Sequence, residues 1–167
     1  MTEDNKFKIG IIGGGVVGGG VAELLEMNDN ITIVGICVKN KNKNRDWKTK
    51  KTYHIVDDPY LLINNPEIDM IVEVMGGTDY TFQLITDSIK QKKHIVTANK
   101  ALISKYLVDI IKLVDKHQVE FGYEAAVCGG IPIIHTLQRD FVGDNITKIS
   151  GIINGTTNYI LSTMENS

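Results

Sequence analysis

Residues 7–27 read FKIGIIGGGVVGGGVAELLEM, and this stretch decides the fold. The apolar run Phe7–Ile12 leads straight into a glycine cluster, which is typical of a buried strand that ends in a tight turn. Apolar residues then recur at helical spacing over Val16–Met27. A second apolar run, Ile31–Val38, predicts the next strand. Together these segments predict a βαβ unit whose first turn is rich in glycine.

Three glycines in this turn fit the spacing G-x-G-x-x-G. Gly13 permits a tight turn, Gly15 lets the backbone approach a pyrophosphate, and Gly18 lets the helix pack closely on the strand. A phosphate would then lie against the N–H groups at the helix start, where the helix dipole favours an anion. The motif predicts a dinucleotide site that also includes Val16 and Val17. A flexible glycine turn without a ligand is the alternative, and the strand-helix-strand context favours the ligand.

The following hundred residues continue to alternate between strand and helix. The predicted strands are Ile68–Met75, His94–Thr97 and Val119–Tyr123, and the predicted helices begin at Asp58-Pro59, after Thr78 and at Tyr106, the last ending at His117. Such regular alternation indicates the α/β class, with a parallel sheet covered on both faces. We therefore predict a doubly wound, Rossmann-type sheet.

The character of the sequence changes after Glu124, where small residues precede Pro132. Residues Ile131–Phe141 predict a helix, and Ile146–Ile153 alternates in polarity like a strand, followed by a Gly-Thr-Thr-Asn loop. We therefore place a domain boundary near Gly130. Residues 1–130 would form a nucleotide-binding domain, and residues 131–167 would begin a second one.

The end of the second strand bears on which nucleotide is bound. A carboxylate there binds the ribose hydroxyl of NAD, whereas a cation accommodates the 2′-phosphate of NADP. Here the strand ends at Lys39-Asn40 without a carboxylate, and residues 39–51 contain six lysines, one arginine and three asparagines. Lys39 is the best candidate for a phosphate contact, and NADP is favoured over NAD. A solvated, mobile loop without a ligand is the alternative.

Other strand ends should meet the cofactor at the same edge of the sheet. Ligands of doubly wound sheets bind outside the carboxyl ends of the strands. Gly76, Gly77 and Thr97 each follow or end a predicted strand, so we expect them to line the cofactor site. The alternative for the glycine pair is that it serves only the turn.

The composition excludes several classes of function. The chain of 167 residues has a formal net charge of −2, so nothing indicates nucleic acid or an anionic membrane as partner. No apolar run is long enough to span a membrane, and Met1–Lys8 is too polar for a signal peptide. Cys37 and Cys128 make neither a disulfide framework nor a zinc pattern, and the four histidines share no metal-ligand spacing. A reducing, cytoplasmic location is expected.

Three further segments are more specific than the glycine loop. They are VTANKAL at residues 96–102, YEAAVCGGIP at residues 123–132 and IINGTTNYI at residues 152–160. In this order, with the glycine loop in front, they resemble signatures of the homoserine dehydrogenases, from about Lys8 to the C-terminus. The resemblance implies NAD(P)-dependent interconversion of L-homoserine and L-aspartate 4-semialdehyde, on the route to threonine and methionine.

The resemblance also implies roles for particular residues. Lys100 matches the family's lysine beside the nicotinamide and the substrate, where it would polarise the carbonyl oxygen and take part in proton transfer. Gly155 and Thr156 match the segment that approaches the substrate. Without the family, a solvated lysine and an ordinary loop would be the simpler interpretations.

A monovalent cation, typically sodium, is a further implication of the resemblance. By position its ligands would be Glu124 and the backbone carbonyls of Val127, Gly129 and Ile131. A hard cation prefers oxygen ligands, and an irregular turn with glycine can direct several carbonyls inward. An ordinary interdomain turn, with Glu124 solvated or paired, is the alternative.

The chain departs from the family pattern in two respects. Lys39 and Asn40 stand where the family commonly has arginine and aspartate, which makes the nucleotide preference less certain. The family also continues past the Gly-Thr-Thr-Asn segment into a substrate-binding and dimerisation domain with further catalytic residues. We therefore expect a fragment that binds nucleotide without appreciable activity, that exposes apolar surface after Ile131, and that belongs to a homodimer when complete.

Two other functions remain open at this point. One is another oxidoreductase of the same fold, such as a sugar dehydrogenase or dihydrodipicolinate reductase, which would lack the Thr-Ala-Asn-Lys and Asn-Gly-Thr-Thr segments. The other is a nucleotide-sensing regulator, which would carry a DNA-binding or interaction module. No helix-turn-helix pattern or basic face indicates such a module.

Overall fold

The computed structural model describes residues 6–152 and 154–165. Its strands are β1 (Phe7–Ile12), β2 (Ile31–Cys37), β3 (Ile55–Val56), β4 (Met70–Glu73), β5 (His94–Thr97) and β6 (Phe121–Gly122). Its helices are α1 (Val16–Leu25), α2 (Tyr60–Ile63), α3 (Asp79–Lys90), α4 (Lys100–His117), α5 (Ile133–His135) and α6 (Gly155–Glu165), with a 3-10 turn at Glu124–Ala126 and a π-helical turn at Thr136–Asp140.

The six strands form one parallel sheet in the order β3-β2-β1-β4-β5-β6. The chain runs outward from β1 to β3, then crosses to the other side of β1 and runs outward again to β6. The direction reverses between β1 and β4, and a doubly wound sheet binds ligands at that point. The predicted fold class is confirmed.

Two apolar clusters cover the two faces of the sheet, as strand alternation requires. Ile12, Ile71 and Ile95 point to the face covered by α2, α3 and α4. Ile11 and Ile36 point to the opposite face, which is covered by α1 and by the loop that follows β2. None of the described helices combines the length and apolar character needed to cross a bilayer.

The predicted start of α4 at Tyr106 is wrong, because the helix begins six residues earlier. Asn99 caps it: the Asn99 side-chain oxygen accepts a hydrogen bond from the backbone N–H of Leu102 at 3.1 Å. An N-cap of this kind satisfies a backbone donor that has no partner within the helix. Lys100 therefore occupies the first turn of α4 and not a loop.

The segment after Gly130 differs most from the sequence-based expectation. The predicted helix Ile131–Phe141 is divided into α5 and the π-helical turn. Residues 146–152 form no strand, and residue 153 lies outside the described residues. A strand needs a neighbour to satisfy its backbone groups, and the described part of the chain offers none here. Gly155–Glu165 forms α6 where a loop was expected, with Asn154 Oδ1 accepting from Thr157 N at 2.8 Å.

The same segment exposes the apolar surface that was predicted. All residues of 138–152 and 154–165 are exposed. They include many large apolar side chains, namely Phe141, Val142, Ile146, Ile149, Ile152, Tyr159, Ile160, Leu161 and Met164.

One buried cation holds two loops of the opposite edge together. Lys93 is 5% exposed, and its ammonium donates to the carbonyl oxygens of Asn65 and Ile68, both at 2.6 Å. Burial lowers the pKa of this ammonium. The arrangement ties the α3–β5 turn to the segment between α2 and β4, where the Asn65 carbonyl also accepts from the Ile68 N–H.

Replacement of Lys93 by methionine is expected to reduce the free energy of unfolding by about 3 kcal/mol, because two carbonyls then lose their charged hydrogen bonds to the ammonium. Lys90→Met is the matched control, since Lys90 makes only an exposed ion pair with Asp87 and should change stability by less than about 0.5 kcal/mol. Urea unfolding measures both. An equal effect of the two substitutions would show that Lys93 is not a structural link.

Candidate dinucleotide-binding site

The glycine loop lies at the end of β1, and two of its glycines are required by their protein neighbours. Gly13 has φ +117°, and a Cβ atom there would come within 2.5 Å of the Val74 carbonyl carbon. A Cβ atom on Gly18 would lie 1.9 Å from the carbonyl oxygen of Gly13. The turn is thus packed against β4 on one side and against its own helix on the other.

Gly15 is different, because a Cβ atom there would meet nothing within 4 Å. No side chain caps the start of α1, and its first turn holds no acidic residue. Val16 and Val17 flank this point, with 94% and 54% of their surface exposed. The free N–H groups and positive end of the helix dipole are therefore accessible to an anion.

The basic loop that follows β2 packs over the same helix. The Trp47 ring lies against Gly14 and Gly19, where added Cβ atoms would approach it within 2.8 Å and 2.5 Å. Glu23 accepts from the backbone N–H of Lys48, and Glu26 accepts from those of Lys50 and Lys51, at 2.7–2.9 Å. The Lys50 N–H is the main reason that the pKa of Glu26 lies below its usual value. The structure thus anchors on α1 a loop that we expected to be mobile.

Two cations of this loop are already paired within the protein. Lys41 forms an ion pair with Asp57 at 3.0 Å, which lowers the pKa of that carboxyl. Arg45 donates to the carbonyls of Asn40 and Lys43, and its guanidinium lies 5.7 Å from the centre of the Trp47 ring. The ammonium of Lys39, by contrast, is exposed at the end of β2 and contacts no partner in the described part of the chain.

A buried carboxylate lies at the end of β4, next to the glycine pair. Glu73 is 0% exposed; its Oε1 accepts from the N–H groups of Met75 and Gly76, at 2.9 and 3.2 Å. Its Oε2 accepts from the Thr97 hydroxyl at 2.6 Å, across the pairing of β4 with β5. We did not predict this residue; the signal was a single carboxylate inside the apolar stretch Met70–Met75.

The hydrogen bonds continue from Thr97 to the start of α4. Thr97 Oγ1 accepts from the Asn99 N–H at 3.0 Å, and Asn99 Nδ2 donates to the Gly77 carbonyl at 2.8 Å. Gly76 and Gly77 have φ +79° and +80°, and Gly76 accepts from the Thr81 hydroxyl through its carbonyl. The structure thus brings the predicted residues Gly76, Gly77 and Thr97 together in one network.

Lys100 follows this network directly. It is exposed in the first turn of α4, where no acidic residue accompanies it. The helix dipole disfavours a cation at this end of a helix, so packing and capping do not explain the residue. A contact with an anionic or carbonyl-bearing ligand would.

The residues expected to bind a cation lie in the segment that links β6 to α5. Glu124 accepts from the backbone N–H groups of Ile134 and His135, at 2.9 and 2.7 Å. The Ile131 carbonyl accepts from the Ile133 N–H at 2.8 Å. The carbonyls of Val127 and Gly129 have no hydrogen-bond partner in the described part of the chain. Two of the four oxygen ligands thus remain free, and Glu124 also anchors the first turn of α5.

Gly155 and Thr156 are not brought to the other predicted residues. They form the exposed start of α6, in a segment that nothing described buries. Among the described residues, no group of three or more His, Cys, Asp or Glu side chains is arranged to hold a metal ion.

The sheet order, the open glycine loop at its switch point and the cation after β2 define a dinucleotide-binding domain. Residues 13–124 match the family model for the homoserine dehydrogenase NAD-binding domain, and residues 132–167 match the homoserine dehydrogenase model. The chain therefore belongs to the homoserine dehydrogenase family. This membership disfavours the sugar dehydrogenase and nucleotide-sensing alternatives.

Individual relatives agree with the family models. The homoserine dehydrogenase of Bacillus subtilis is 36% identical over 94% of this chain, and that of Neisseria gonorrhoeae is 39% identical over 93%. The chain spans 38% of the length of each. The crystal structure of the Thiobacillus denitrificans homoserine dehydrogenase superposes with a TM-score of 0.89 at 35% identity, covering 97% of this chain and 39% of that one. A hyperthermophilic archaeal homoserine dehydrogenase in complex with NADPH shares the fold, with a TM-score of 0.81 and 22% identity.

Proposed function

We propose that this chain is the nucleotide-binding part of an enzyme that interconverts L-homoserine and L-aspartate 4-semialdehyde with NADP, or with NAD as the weaker alternative. The observation that carries the proposal is the open start of α1 at Gly15, at the switch point of the sheet. Family membership supports the substrate, and the archaeal relative's complex with NADPH supports the nucleotide.

The residues at the sheet edge fit the parts of such a nucleotide. The N–H groups beside Gly15, Val16 and Val17 suit the pyrophosphate, for which Gly13 and Gly18 supply the tight turn. The ammonium of Lys39, which contacts no partner among residues 6–152 and 154–165, suits a 2′-phosphate as a point charge. Without a carboxylate at the end of β2, the ribose hydroxyls of NAD lack their usual acceptor.

The second group of residues would face the reacting half of the nucleotide. The bound nicotinamide would supply or accept the hydride. Gly76, Gly77 and Thr97 would shape the wall beside it. Lys100 would hold a proton near the substrate oxygen and stabilise negative charge that develops there. Gly155 and Thr156 would contact the substrate once the segment after Gly130 is packed against the remainder of the enzyme.

Three further features belong to the same proposal. The boundary near Gly130 would separate the nucleotide domain from a substrate-binding and dimerisation domain, and the complete enzyme would be a homodimer. A monovalent cation, with sodium the best fit, would bind at Glu124, Val127, Gly129 and Ile131, because all four offer oxygen ligands. The carbonyls of Val127 and Gly129 are free for it, while the other two ligands are shared with backbone N–H groups.

Calorimetric titration with NADP⁺ and with NAD⁺ tests the nucleotide site. We expect saturable binding that is tighter for NADP⁺. Gly15→Asp should weaken it at least tenfold, because a carboxylate would meet the pyrophosphate. Gly20→Asp is the matched control, since Gly20 lies farther along α1 and a Cβ atom there also meets nothing. Failure of the parent chain to bind either nucleotide, or equal loss in both variants, would contradict the proposed site.

A further inference from the structure

The buried carboxylate of Glu73 has no counter-ion among the described residues, although a buried charge is usually paired. Three donors replace the counter-ion, namely two backbone N–H groups and the Thr97 hydroxyl. Burial of a carboxyl is costly even when it is hydrogen-bonded, and an apolar side chain would suit the end of a buried strand. The arrangement therefore calls for an explanation beyond packing.

The hydrogen bonds of Glu73 lead, directly or through the Thr97 hydroxyl, to backbone that the cofactor would meet. Through Oε1 it fixes the turn at Met75 and Gly76, where the backbone enters the left-handed region. Through Oε2 it orients the Thr97 hydroxyl, which accepts from the Asn99 N–H. Asn99 in turn holds the Gly77 carbonyl and caps the helix that begins with Lys100.

The Thr97 hydroxyl is the link between the two halves of this network. Its single proton is donated to Glu73, and its oxygen accepts from the Asn99 N–H. Because the hydroxyl has only one proton, its donation to Glu73 directs the lone pairs of Thr97 Oγ1 toward the Asn99 N–H. The orientation of the Asn99 backbone thus depends on a carboxylate of β4, the strand that pairs with β1 and its glycine loop.

We propose that Glu73 is a positioning residue for the nicotinamide half of the nucleotide. It sets the backbone of Gly76 and Gly77 and the start of α4, so that both lie in place before the nucleotide binds. This inference rests on the proposed nucleotide site. It predicts that disruption of the network weakens contacts to the nicotinamide half and leaves the adenosine half unaffected, since that half meets α1 and Lys39.

The test compares two ligands, NADPH and 2′,5′-ADP, which is the adenosine half of NADP with its 2′-phosphate. In Glu73→Gln, one oxygen still accepts from the two N–H groups, but an NH₂ group faces the Thr97 hydroxyl. We expect the Kd for NADPH to rise about tenfold, the effect of one lost hydrogen bond, while the Kd for 2′,5′-ADP changes less than about twofold. Fluorescence of the reduced nicotinamide reports the same loss directly.

The pair Thr97→Val and Thr97→Ser keeps the test decisive if Glu73→Gln does not fold. Valine has the shape of threonine without the hydroxyl, so Thr97→Val should reproduce the selective loss of NADPH affinity. Serine keeps the hydroxyl, so Thr97→Ser should bind NADPH as the parent does. An equal loss of affinity for both ligands would mean that Glu73 has only a structural role, and would overturn the proposal. Unchanged affinity for NADPH would overturn it as well. If the parent chain binds neither ligand, the proposed nucleotide site itself fails. If it binds 2′,5′-ADP as tightly as NADPH, only the positioning role fails.

Discussion

Lys100→Met is expected to lower kcat for homoserine oxidation by about 10²–10⁴-fold, the usual contribution of one general acid or base. The assay uses a chimera in which residues 1–167 replace the matching part, 38% of the length, of the Bacillus subtilis relative. Lys100 is exposed at the end of the Glu73–Thr97–Asn99 network, and its ammonium is the only proposed proton donor in the described part of the chain. Methionine keeps the length of the side chain and removes the charge.

The affinity for the nucleotide should change little, because the pyrophosphate and the 2′-phosphate are bound elsewhere. Lys112→Met is the control, as Lys112 is exposed on the same helix and has no proposed role. Its kcat should stay within about twofold of the parent chimera, as is usual for surface substitutions. A Lys100→Met chimera that retains nearly full kcat would remove Lys100 from the catalytic machinery. A folded parent chimera that binds NADP⁺ but does not oxidise homoserine would refute the proposed substrate.

Five of the six strands of the nucleotide domain were predictable, because a buried parallel strand is a continuous apolar run with a turn at each end, whereas the two-residue β3 was missed. Phe7–Ile12 and His94–Thr97 have the bounds that the sequence indicates. The α4 start was missed although its apolar periodicity reaches back to Leu102, because the cap at Asn99 acts through one side-chain hydrogen bond. The predicted strand Ile146–Ile153 failed for another reason. A segment of alternating polarity forms a strand only when another strand is there to pair with it, and the sequence alone does not say whether one is available.

The candidate site divides in a similar way. The glycine loop could be predicted because its constraints are local: a turn, a helix start and close packing lie within a few residues. The Glu73–Thr97 bond joins residues 24 positions apart and depends on the register of β4 and β5, which no local pattern specifies. Lys93 is similar, since the segment Gln91-Lys92-Lys93 has the composition of a surface turn. Buried polar groups of this kind become visible only when tertiary contacts are known.

Gly13→Ala is expected to destabilise the fold by about 4 kcal/mol, which combines the cost of a left-handed backbone with the cost of overpacking. The backbone at Gly13 has φ +117°, where a side chain is rarely tolerated. Its added methyl group would lie 2.5–2.6 Å from the backbone of Val74 and Met75, which belongs to the turn that Glu73 holds in place. Backbone so constrained cannot move aside as a flexible side chain would, so the strain falls on the β1-β4 pairing at the centre of the sheet.

Gly20→Ala makes the same chemical change seven residues later and should have the opposite sign. Gly20 lies inside α1 with open space around its Cβ position, so alanine should stabilise the helix by up to about 1 kcal/mol. In urea unfolding, the midpoint concentration should therefore lie below that of the parent for Gly13→Ala and above it for Gly20→Ala, with similar slopes of the free energy against urea. If Gly13→Ala unfolded at the parent midpoint, the turn would have to be free to move. The glycine loop would then be a flexible turn, as the alternative interpretation of its sequence holds, and not a preformed phosphate site.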